Sequence, residues 1–179
     1  MDSYEKFVRY KMVLFGNANV GKTSLVERFI NDRFEENYIS TLGYNVYEKQ
    51  INYENSLISL MIFDIGGQEK FRDLRKKYAE GADTAFLVYD VTNPDSFASL
   101  EAWKTDLVEF AGEIPFIIIG NKNDLTSAIP NEDAMQLSYK LGALDYFETS
   151  AKTGAGVEKA FNQLAVKSFE MAFAPKPSE

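Results

Sequence analysis

The segment that most constrains this chain is residues 16–23, which read G-N-A-N-V-G-K-T. It follows the apolar stretch 12–15 and opens a predicted helix, so a strand, a loop and a helix meet at this point. The two glycines let the backbone curl, and the inward N–H groups form a concave anion site with the helix N-terminus. The ammonium of Lys22 can reach outer phosphates, and the hydroxyl of Thr23 can ligate Mg²⁺. The segment therefore predicts a phosphate-binding loop.

A second segment, Asn121-Lys122-Asn123-Asp124, indicates which base accompanies the phosphates. It follows the apolar run 116–120, which is typical of a buried parallel strand, so it lies at a carboxyl end, where open α/β sheets bind ligands. The Asp124 carboxylate can accept two hydrogen bonds at once, from guanine N1–H and N2–H₂, whereas adenine offers no such pair of donors. A polar turn is the alternative interpretation of this segment taken alone. Downstream of a phosphate loop, the segment predicts guanine specificity.

Two further segments fit the same site. Residues 64–69, D-I-G-G-Q-E, follow a predicted strand and place Asp64 to hold Mg²⁺, through water. The N–H of Gly67 can turn toward a terminal phosphate, and Gln68 can orient an attacking water. Residues 150–152, S-A-K, follow another strand-like stretch and can pack the base from above. An ordinary loop and an ordinary helix start are the alternatives for these two segments in isolation.

Strand patterns and helix patterns alternate along the chain, which predicts an α/β fold with a mostly parallel six-stranded sheet and five helices on both faces. We predict strands at 9–15, 44–52, 57–63, 83–89, 115–120 and 144–148, and helices at 22–31, 69–79, 94–111, 131–141 and 157–172. The polar turn 54–56 separates two strand patterns, so we expect an antiparallel hairpin at the sheet edge. Trp103 lies in a helical pattern with Leu100 and Leu107 and is predicted to be core.

These motifs, in this order, make the chain resemble a Ras-superfamily small GTPase over essentially its whole length. Such a protein has the P-loop NTPase fold known as a G domain. The resemblance is greatest to the Rab branch, through residues 38–43, 68–72, 78–82 and 87–92. Most Ras and Rab proteins carry a C-terminal lipid, whereas residues 174–179 hold no cysteine and no basic cluster. Two alternatives remain: a lipidated tail has been removed, or the protein is never lipidated, as in some similar prokaryotic and archaeal members.

The resemblance implies further roles. Thr41 is implied to ligate Mg²⁺ and sense the γ-phosphate, Phe34 to pack edge-on against guanine, and Tyr38 to close over the phosphates. The resulting candidate nucleotide site is Gly16, Asn19, Val20, Gly21, Lys22, Thr23, Ser24, Phe34, Tyr38, Thr41, Gly67, Asn121, Lys122, Asp124, Ser150, Ala151 and Lys152. The catalytic candidates are Gln68, Lys22, Thr41 and Gly67, and the metal candidates are Thr23, Thr41 and Asp64. The implied function is a switch that binds GTP or GDP with Mg²⁺, hydrolyses GTP slowly, and meets effectors, exchange factors and GTPase-activating proteins through residues 33–46 and 63–80.

Four residues depart from the family pattern. Ala18 stands where Ras has a glycine whose replacement hinders hydrolysis, and Gly66 replaces the usual alanine, as in Arf-like proteins. Val46 and Phe63 replace an aromatic residue and a tryptophan that Rab proteins use to recognise partners. Ala18 and Gly66 allow an alternative, a GTP-binding adaptor with little hydrolysis, which Gln68 together with Thr41 argues against. A metabolic P-loop kinase or ATPase is disfavoured by N-K-N-D and by the lack of a nucleoside-acceptor lid.

Composition limits the remaining possibilities. The length of 179 residues fits one domain, which we assign to 1–173 with a short tail at 174–179. The formal net charge of −8 opposes binding to nucleic acid or anionic lipid. The chain has no cysteine, so we expect no disulfide and no prenyl or palmitoyl group, which fits a reducing cytoplasm. We therefore expect a cytoplasmic monomer that does not bind membranes directly.

Overall fold

A six-stranded β-sheet runs through the computed structural model, which describes residues 3–35, 41 and 43–174. The strands are β1 (Lys6–Phe15), β2 (Tyr44–Tyr53), β3 (Ser56–Ile65), β4 (Thr84–Asp90), β5 (Phe116–Asn121) and β6 (Asp145–Glu148). The helices are α1 (Lys22–Asn31), α2 (Arg72–Ala79), α3 (Pro94–Ala98), α4 (Leu100–Ala111), α5 (Asn131–Leu141) and α6 (Val157–Phe173), with a 3₁₀ helix at Glu69–Phe71 before α2.

The strands lie in the order β2-β3-β1-β4-β5-β6. Strands β2 and β3 pair antiparallel at the edge, and the remaining neighbours pair parallel in the part of the chain that the structure describes. The predicted mostly parallel sheet with one antiparallel edge hairpin is confirmed. The hairpin turn is shorter than the predicted turn at 54–56, because Ser56 already pairs with Tyr53. Glu54 is the first residue of the turn and has a positive φ of 50°.

The predicted helix at 94–111 forms two helices, α3 and α4, so the described residues hold six α-helices and not the five expected. The break lies at Ser99, whose hydroxyl donates to the carbonyl oxygen of Asp95 at 2.9 Å and accepts from the amide of Asn17 at 3.3 Å. A serine that bonds back to the carbonyl four residues earlier bends a helix. Asn93 caps α3 as its position before Pro94 suggests, accepting hydrogen bonds from the N–H groups of residues 95 and 96.

Helices cover both faces of the sheet, and each face has its own apolar core. On one face α1 and α6 pack together, with the rings of Phe29 and Phe161 stacked at 4.2 Å between centroids. On the other face α2, α4 and α5 pack against the sheet, where Phe15 contacts Trp103 at 5.8 Å. Trp103 is therefore a core residue, as predicted. Because both faces are buried, the central strand β4 is apolar along almost its whole length and entirely buried.

The boundary predicted between a domain at 1–173 and a tail at 174–179 stays a prediction. Helix α6 ends at Phe173, and residues 175–179 lie outside the described part of the chain. Among the helices that the structure describes, none is long and apolar enough to cross a bilayer.

Candidate functional site

The predicted site residues gather at one edge of the sheet. The loops that follow β1, β3, β5 and β6 all leave from the carboxyl ends of parallel strands, and these ends lie side by side. This geometry brings together four segments that are far apart in sequence, namely 16–21, 66–68, 122–125 and 149–152. An open α/β sheet binds its ligands at this edge.

The loop between β1 and α1 curls tightly over the sheet. Gly21 lies in the left-handed region at φ 98°, and Asn19 also has a positive φ, of 68°. A side chain at Gly16 would overlap the carbonyl oxygen of Val88, and one at Gly21 would overlap the amide of Asn121. The two glycines are therefore required by close packing and, at Gly21, also by the backbone angle. Helix α1 begins immediately afterwards at Lys22, so its N-terminus faces the loop.

Lys22 lies at the centre of this loop and is only 6% exposed. Its ammonium donates to the carbonyl oxygens of Gly16 at 2.8 Å and Asn17 at 2.9 Å. Burial lowers the pKa of Lys22 to about 8, the carboxylate of Asp64 opposes this shift, and the guanidinium of Arg75 adds to it. A buried cation held by neutral carbonyls is suited to receive an anion such as a phosphate.

Three side-chain oxygens converge beside Lys22. The hydroxyl oxygens of Thr23 and Thr41 lie 2.6 Å apart, and the Thr23 hydroxyl donates to Oδ2 of Asp64 at 2.5 Å. The other carboxylate oxygen of Asp64, Oδ1, is buried without a hydrogen-bond partner. Burial raises the pKa of Asp64, while the hydrogen bond from Thr23 and the charge of Lys22 oppose that shift.

This donor set fits Mg²⁺, because hydroxyls and a carboxylate are the hard oxygen ligands that this ion takes. Among the described residues, no group of three or more His, Cys, Asp or Glu side chains could hold a metal ion. The protein therefore offers a few oxygens and not a complete cage. Mg²⁺ sites of this kind are completed by substrate phosphates and water.

The segment after β3 packs directly on the phosphate loop. A side chain at Gly67 would overlap the backbone of residues 16–18, so glycine is needed for the two segments to touch. Gly66 lies under the ring of Phe71, where a Cβ would come within 2.6 Å of the ring. The glycine at 66, which departs from the family pattern, thus accommodates a neighbouring aromatic ring.

Arg75 supports the segment 66–68 through hydrogen bonds to its carbonyl oxygens. The sequence did not predict this role. Arg75 is 1% exposed, and its Nη1 donates to the carbonyl oxygens of Gly66 at 3.0 Å and Gln68 at 2.7 Å. The guanidinium also lies 4.9 Å from the ring centroid of Trp103, whose indole N–H donates to Asn17 at 2.7 Å. The segment carrying Gln68 is therefore tied to α4 and to the phosphate loop. An arginine in a strongly charged helix gives no local sign that it is buried.

A pocket of about 350 Å³ lies beside the phosphate loop. It is lined by Asn19, Gly21, Ser24, Phe34, Glu35, Asn121, Lys122, Asp124, Leu125, Ala151 and Lys152. The lining combines residues from three predicted segments, together with Phe34, which also packs against the core. Oδ1 of Asp124 accepts a hydrogen bond from the Ser150 hydroxyl at 2.7 Å, which fixes the carboxylate at the pocket wall.

Asn121 and Lys122 join the segments around this pocket. The buried amide of Asn121 donates to the carbonyl oxygen of Val20 at 3.0 Å, and its oxygen accepts from the Thr149 hydroxyl at 3.0 Å. The ammonium of Lys122 donates to the carbonyl oxygen of Asn19 at 2.8 Å and pairs with Asp90 at 3.0 Å. Both side chains thereby brace the phosphate loop. Of the predicted site residues, Tyr38 lies outside the described part of the chain, so its position is not assigned.

Comparison with known proteins identifies the family. The family model described as "Ras family" matches residues 11–170, which is most of the chain. The chain belongs to the Ras family of small GTPases. Members of this family are typically GTP hydrolases, and the predicted resemblance is confirmed at the family level.

Individual relatives of this Ras-family GTPase are of Rab type. The chain is 36% identical over 171 residues to the Ypt/Rab-type GTPase avaA of Emericella nidulans, which covers 91% of this chain and 83% of the relative. It is 35% identical over 167 residues to Ras-related protein Rab7 of Drosophila melanogaster, covering 90% and 81%. It is 40% identical over 164 residues to Ras-related protein Rab-2B of Dictyostelium discoideum, covering 90% and 80%. The likeness to the Rab branch is thereby confirmed.

Proposed function

We propose that this Ras-family GTPase is a molecular switch that binds GTP and GDP with Mg²⁺ and hydrolyses GTP slowly to GDP and phosphate. The proposal depends on one observation. A curled phosphate loop, a convergence of oxygen ligands and a pocket beside Asp124 lie next to one another at a single edge of the sheet. The Rab resemblance extends the proposal to a regulatory role of the membrane-traffic type.

Guanine recognition is assigned to Asp124. Its carboxylate is exposed in the pocket wall and is oriented by Ser150. A carboxylate in this position can accept hydrogen bonds from guanine N1–H and N2–H₂ together. Phe34, on the same pocket, offers an apolar surface to the base. Adenine would leave the carboxylate without these donors, which accounts for selection of guanine.

Mg²⁺ would be held by the hydroxyls of Thr23 and Thr41 and by the carboxylate of Asp64, directly or through water. When bound, it would neutralise charge on the β- and γ-phosphates. The buried Oδ1 of Asp64 without a partner supports this assignment, since a buried carboxylate oxygen needs compensation. Lys22 and the loop N–H groups would offset further phosphate charge.

Hydrolysis is assigned to a water oriented by Gln68. The water oxygen bonds to the γ-phosphorus as the bond to the bridging oxygen breaks, and GDP leaves with that electron pair. Of the two protons of the water, one stays on the inorganic phosphate and the other passes to solvent. Arg75 is already engaged with two carbonyl oxygens of the Gln68 segment, so it does not serve as an arginine for the transition state. Intrinsic turnover is therefore slow, and a partner's arginine would raise it by ~10³–10⁵.

The output of the switch is read by partners through residues 33–46 and 63–80. Loss of the γ-phosphate releases Thr41 and Gly67, and the segments around them rearrange. The described part of this surface is aromatic, because the ring of Tyr78 lies 4.2 Å from that of Tyr44 and 5.8 Å from that of Phe63. Val46 lies on the same hairpin and is 42% exposed. Clustered apolar side chains of this kind suit contact with effectors and regulators.

The deciding experiment is competition binding with Asp124→Asn. This variant should lose affinity for GTP and prefer xanthosine triphosphate, whose base carries an acceptor where guanine carries a donor. Asn123→Ala, the exposed neighbour in the same loop, is the matched control and should keep the preference for GTP. An Asp124→Asn variant that still prefers GTP would show that the base is recognised elsewhere.

A second measurement separates the switch from an adaptor that only holds GTP. Single-turnover hydrolysis should require Mg²⁺ and should be lost in Gln68→Leu while GTP affinity stays near that of the unmodified protein. Equal rates in the two proteins would contradict the role given to Gln68. Absence of hydrolysis in both would favour the adaptor.

A further inference from the structure

Asp90 is the last residue of β4, and its buried carboxylate has a different partner on each oxygen. Oδ1 accepts hydrogen bonds from the N–H of Thr92 at 2.9 Å and from its hydroxyl at 2.7 Å. Oδ2 pairs with the ammonium of Lys122 at 3.0 Å. The main chain is fixed as well, because the N–H of Asp90 donates to the hydroxyl of Ser96 at 3.0 Å. Residues 92 and 96 therefore hold Asp90 so that Oδ2 faces Lys122.

Lys122 extends from Asp90 to the phosphate loop. Its ammonium also donates to the carbonyl oxygen of Asn19 at 2.8 Å, and its side chain lines the pocket beside Asp124. A Cβ at Gly21 would lie 4.0 Å from the Cε of Lys122, so the aliphatic stem lies against the loop. One ammonium thus joins β4 to the phosphate loop, and the stem behind it forms part of the pocket wall.

The two residues joined by the hydrogen bond from Lys122 to Asn19 both have unusual backbone angles. Asn19 has a φ of 68° and Lys122 a φ of 66°, in the left-handed region that few residues other than glycine adopt. Such conformations persist only where the surrounding structure enforces them. The ion pair with Asp90 fixes the ammonium that makes this hydrogen bond, so loss of the ion pair should allow both residues to relax.

We propose that Asp90 is a positioning residue that slows release of the bound nucleotide by fixing Lys122 against the phosphate loop. This proposal rests on the proposed guanine nucleotide binding. A nucleotide in the pocket contacts both the wall that Lys122 forms and the loop that Lys122 holds, so a fixed Lys122 opposes its departure. Asp90 acts through Lys122 and does not touch the nucleotide.

Asparagine at position 90 tests this role because it has nearly the same shape but only one acceptor oxygen. Its NH₂ group cannot accept a hydrogen bond, so either the N–H of Thr92 or the ammonium of Lys122 loses its partner. Asparagine also has no charge to attract the ammonium. GDP should therefore leave Asp90→Asn roughly tenfold faster than it leaves the unmodified protein, the effect of losing one charge-assisted hydrogen bond.

The measurement follows release of GDP that carries a fluorescent label on its ribose, after addition of excess unlabelled GDP with Mg²⁺ present. Two control variants leave the contact between Asp90 and Lys122 intact. Thr92→Val removes a hydroxyl from Oδ1 of Asp90 and keeps the backbone N–H, whereas Asp95→Asn removes the same charge at an exposed position. Both controls should release GDP at the rate of the unmodified protein.

Two further readouts distinguish positioning from a general loss of stability. Single-turnover hydrolysis of bound GTP should keep its rate in Asp90→Asn, because Arg75 and not Asp90 supports the segment that contains Gln68. In a Lys122→Met background, which keeps an aliphatic stem but lacks the ammonium, Asp90→Asn should not accelerate release further. This double variant replaces both members of the ion pair, and its comparison with Lys122→Met decides the matter if Asp90→Asn alone does not fold.

Equal release rates for Asp90→Asn and the unmodified protein would overturn the role given to Asp90. An acceleration that persists in the Lys122→Met background, or an equal slowing of hydrolysis, would also overturn it, since Asp90 would then act on the fold as a whole. Failure of the proposed function has a different result, because the unmodified protein itself would then not bind the labelled GDP.

Discussion

Gly66 and Gly67 are adjacent, yet a methyl group added at each would meet a different kind of obstacle. At Gly67 the neighbours are backbone atoms of the phosphate loop, which cannot move without opening that loop. At Gly66 the nearest neighbour is the ring of Phe71, which is only partly buried and can rotate, although the backbone oxygen of Thr41 also lies 3.0 Å away. The cost of a substitution therefore depends on what surrounds each position.

The matched pair Gly67→Ala and Gly66→Ala tests this difference. Overpacking against backbone costs ~1–3 kcal/mol, so Gly67→Ala should slow single-turnover GTP hydrolysis by roughly tenfold or more. Gly66→Ala should stay within about threefold of the unmodified protein, because Phe71 can move aside. Similar rates for the two variants would mean that residue 67 does not have to approach the phosphate loop during hydrolysis.

At the scale of elements, Arg75 joins α2 to the segment that carries Gln68, the residue proposed to orient the attacking water. The guanidinium is buried and joins the carbonyl oxygens of Gly66 and Gln68 to the α4 residue Trp103. Burial lowers the pKa of Arg75, and the carboxylates of Asp106 and Glu69 oppose that shift. The position of Gln68 therefore depends on a contact between two helices.

Substitution of Arg75 by lysine should disturb hydrolysis more than nucleotide binding. Lysine keeps the charge but cannot reproduce the planar fork, so the segment carrying Gln68 loses its support. We expect hydrolysis of bound GTP to slow by roughly tenfold with GDP affinity nearly unchanged. Arg72→Lys is the control, because Arg72 lies on the same helix and its guanidinium lies near the carboxylates of Asp106 and Glu109 and over the ring of Phe110. Equal effects of the two substitutions would contradict the role of Arg75.

Glu27 links α1 to the edge hairpin. Its carboxylate accepts hydrogen bonds from Asn31 at 2.9 Å, Arg33 at 3.2 Å and, on β2, the hydroxyl of Tyr47 at 3.1 Å. The hydrogen bond from Asn31 lowers the pKa of Glu27, those from Arg33 and Tyr47 add to the shift, and burial opposes it. The ionised form is therefore the one that stabilises the folded chain.

The stabilisation by Glu27 should vanish in acid. Because the folded pKa is depressed, the contribution is present above the unfolded pKa of about 4.3 and is lost as the pH falls through the folded value. At neutral pH, Glu27→Gln should lower the free energy of unfolding by about 1 kcal/mol, and the difference should close in strong acid. Urea denaturation of the two proteins from neutral pH to strong acid measures this difference in the free energy of unfolding. Tyr47→Phe, which keeps the carboxylate, should show a smaller loss, and a Glu27→Gln deficit that does not depend on pH would refute the assignment.

At the scale of the whole molecule, the candidate site joins both halves of the sheet. Its phosphate side comes from the loops after β1 and β3, and its base side comes from the loops after β5 and β6. The amide of Asn121, bonded to Val20 on one side and to Thr149 on the other, ties the two sides together. A nucleotide that spans both sides should therefore stabilise the entire fold.

Thermal unfolding should depend strongly on the nucleotide. At a free concentration of a thousand times Kd, GDP with Mg²⁺ should add ~4 kcal/mol to the free energy of unfolding. Removal of Mg²⁺ by EDTA should reverse part of that gain. In Asp124→Asn, xanthosine diphosphate should stabilise where GDP does not, which separates specific binding from a general effect of phosphate. If the midpoint temperature of unfolding were the same with and without nucleotide, a ligand that spans the two sides of the site would be excluded.

Local patterns in the sequence determined the architecture of this protein. The phosphate loop, the alternation of strands and helices, the edge hairpin and the candidate segments around Asp64, Asp124 and Ser150 all depend on residues close together in the chain. Such patterns are readable because hydrophobic periodicity and turn chemistry act over a few residues. The motif order together with the strand order also places the four segments at one edge, since parallel strands share their carboxyl ends.

Tertiary structure alone decided how those segments are held. The burial of Arg75 and the hydrogen bonds that Arg28 donates to the carbonyl oxygens of Ala151 and Lys152 each depend on a partner distant in the sequence. An arginine on a charged helix has the same local pattern whether it faces water or a carbonyl group across the fold. The burial of such an arginine depends on which surfaces pack together, and this packing exists only in the folded chain.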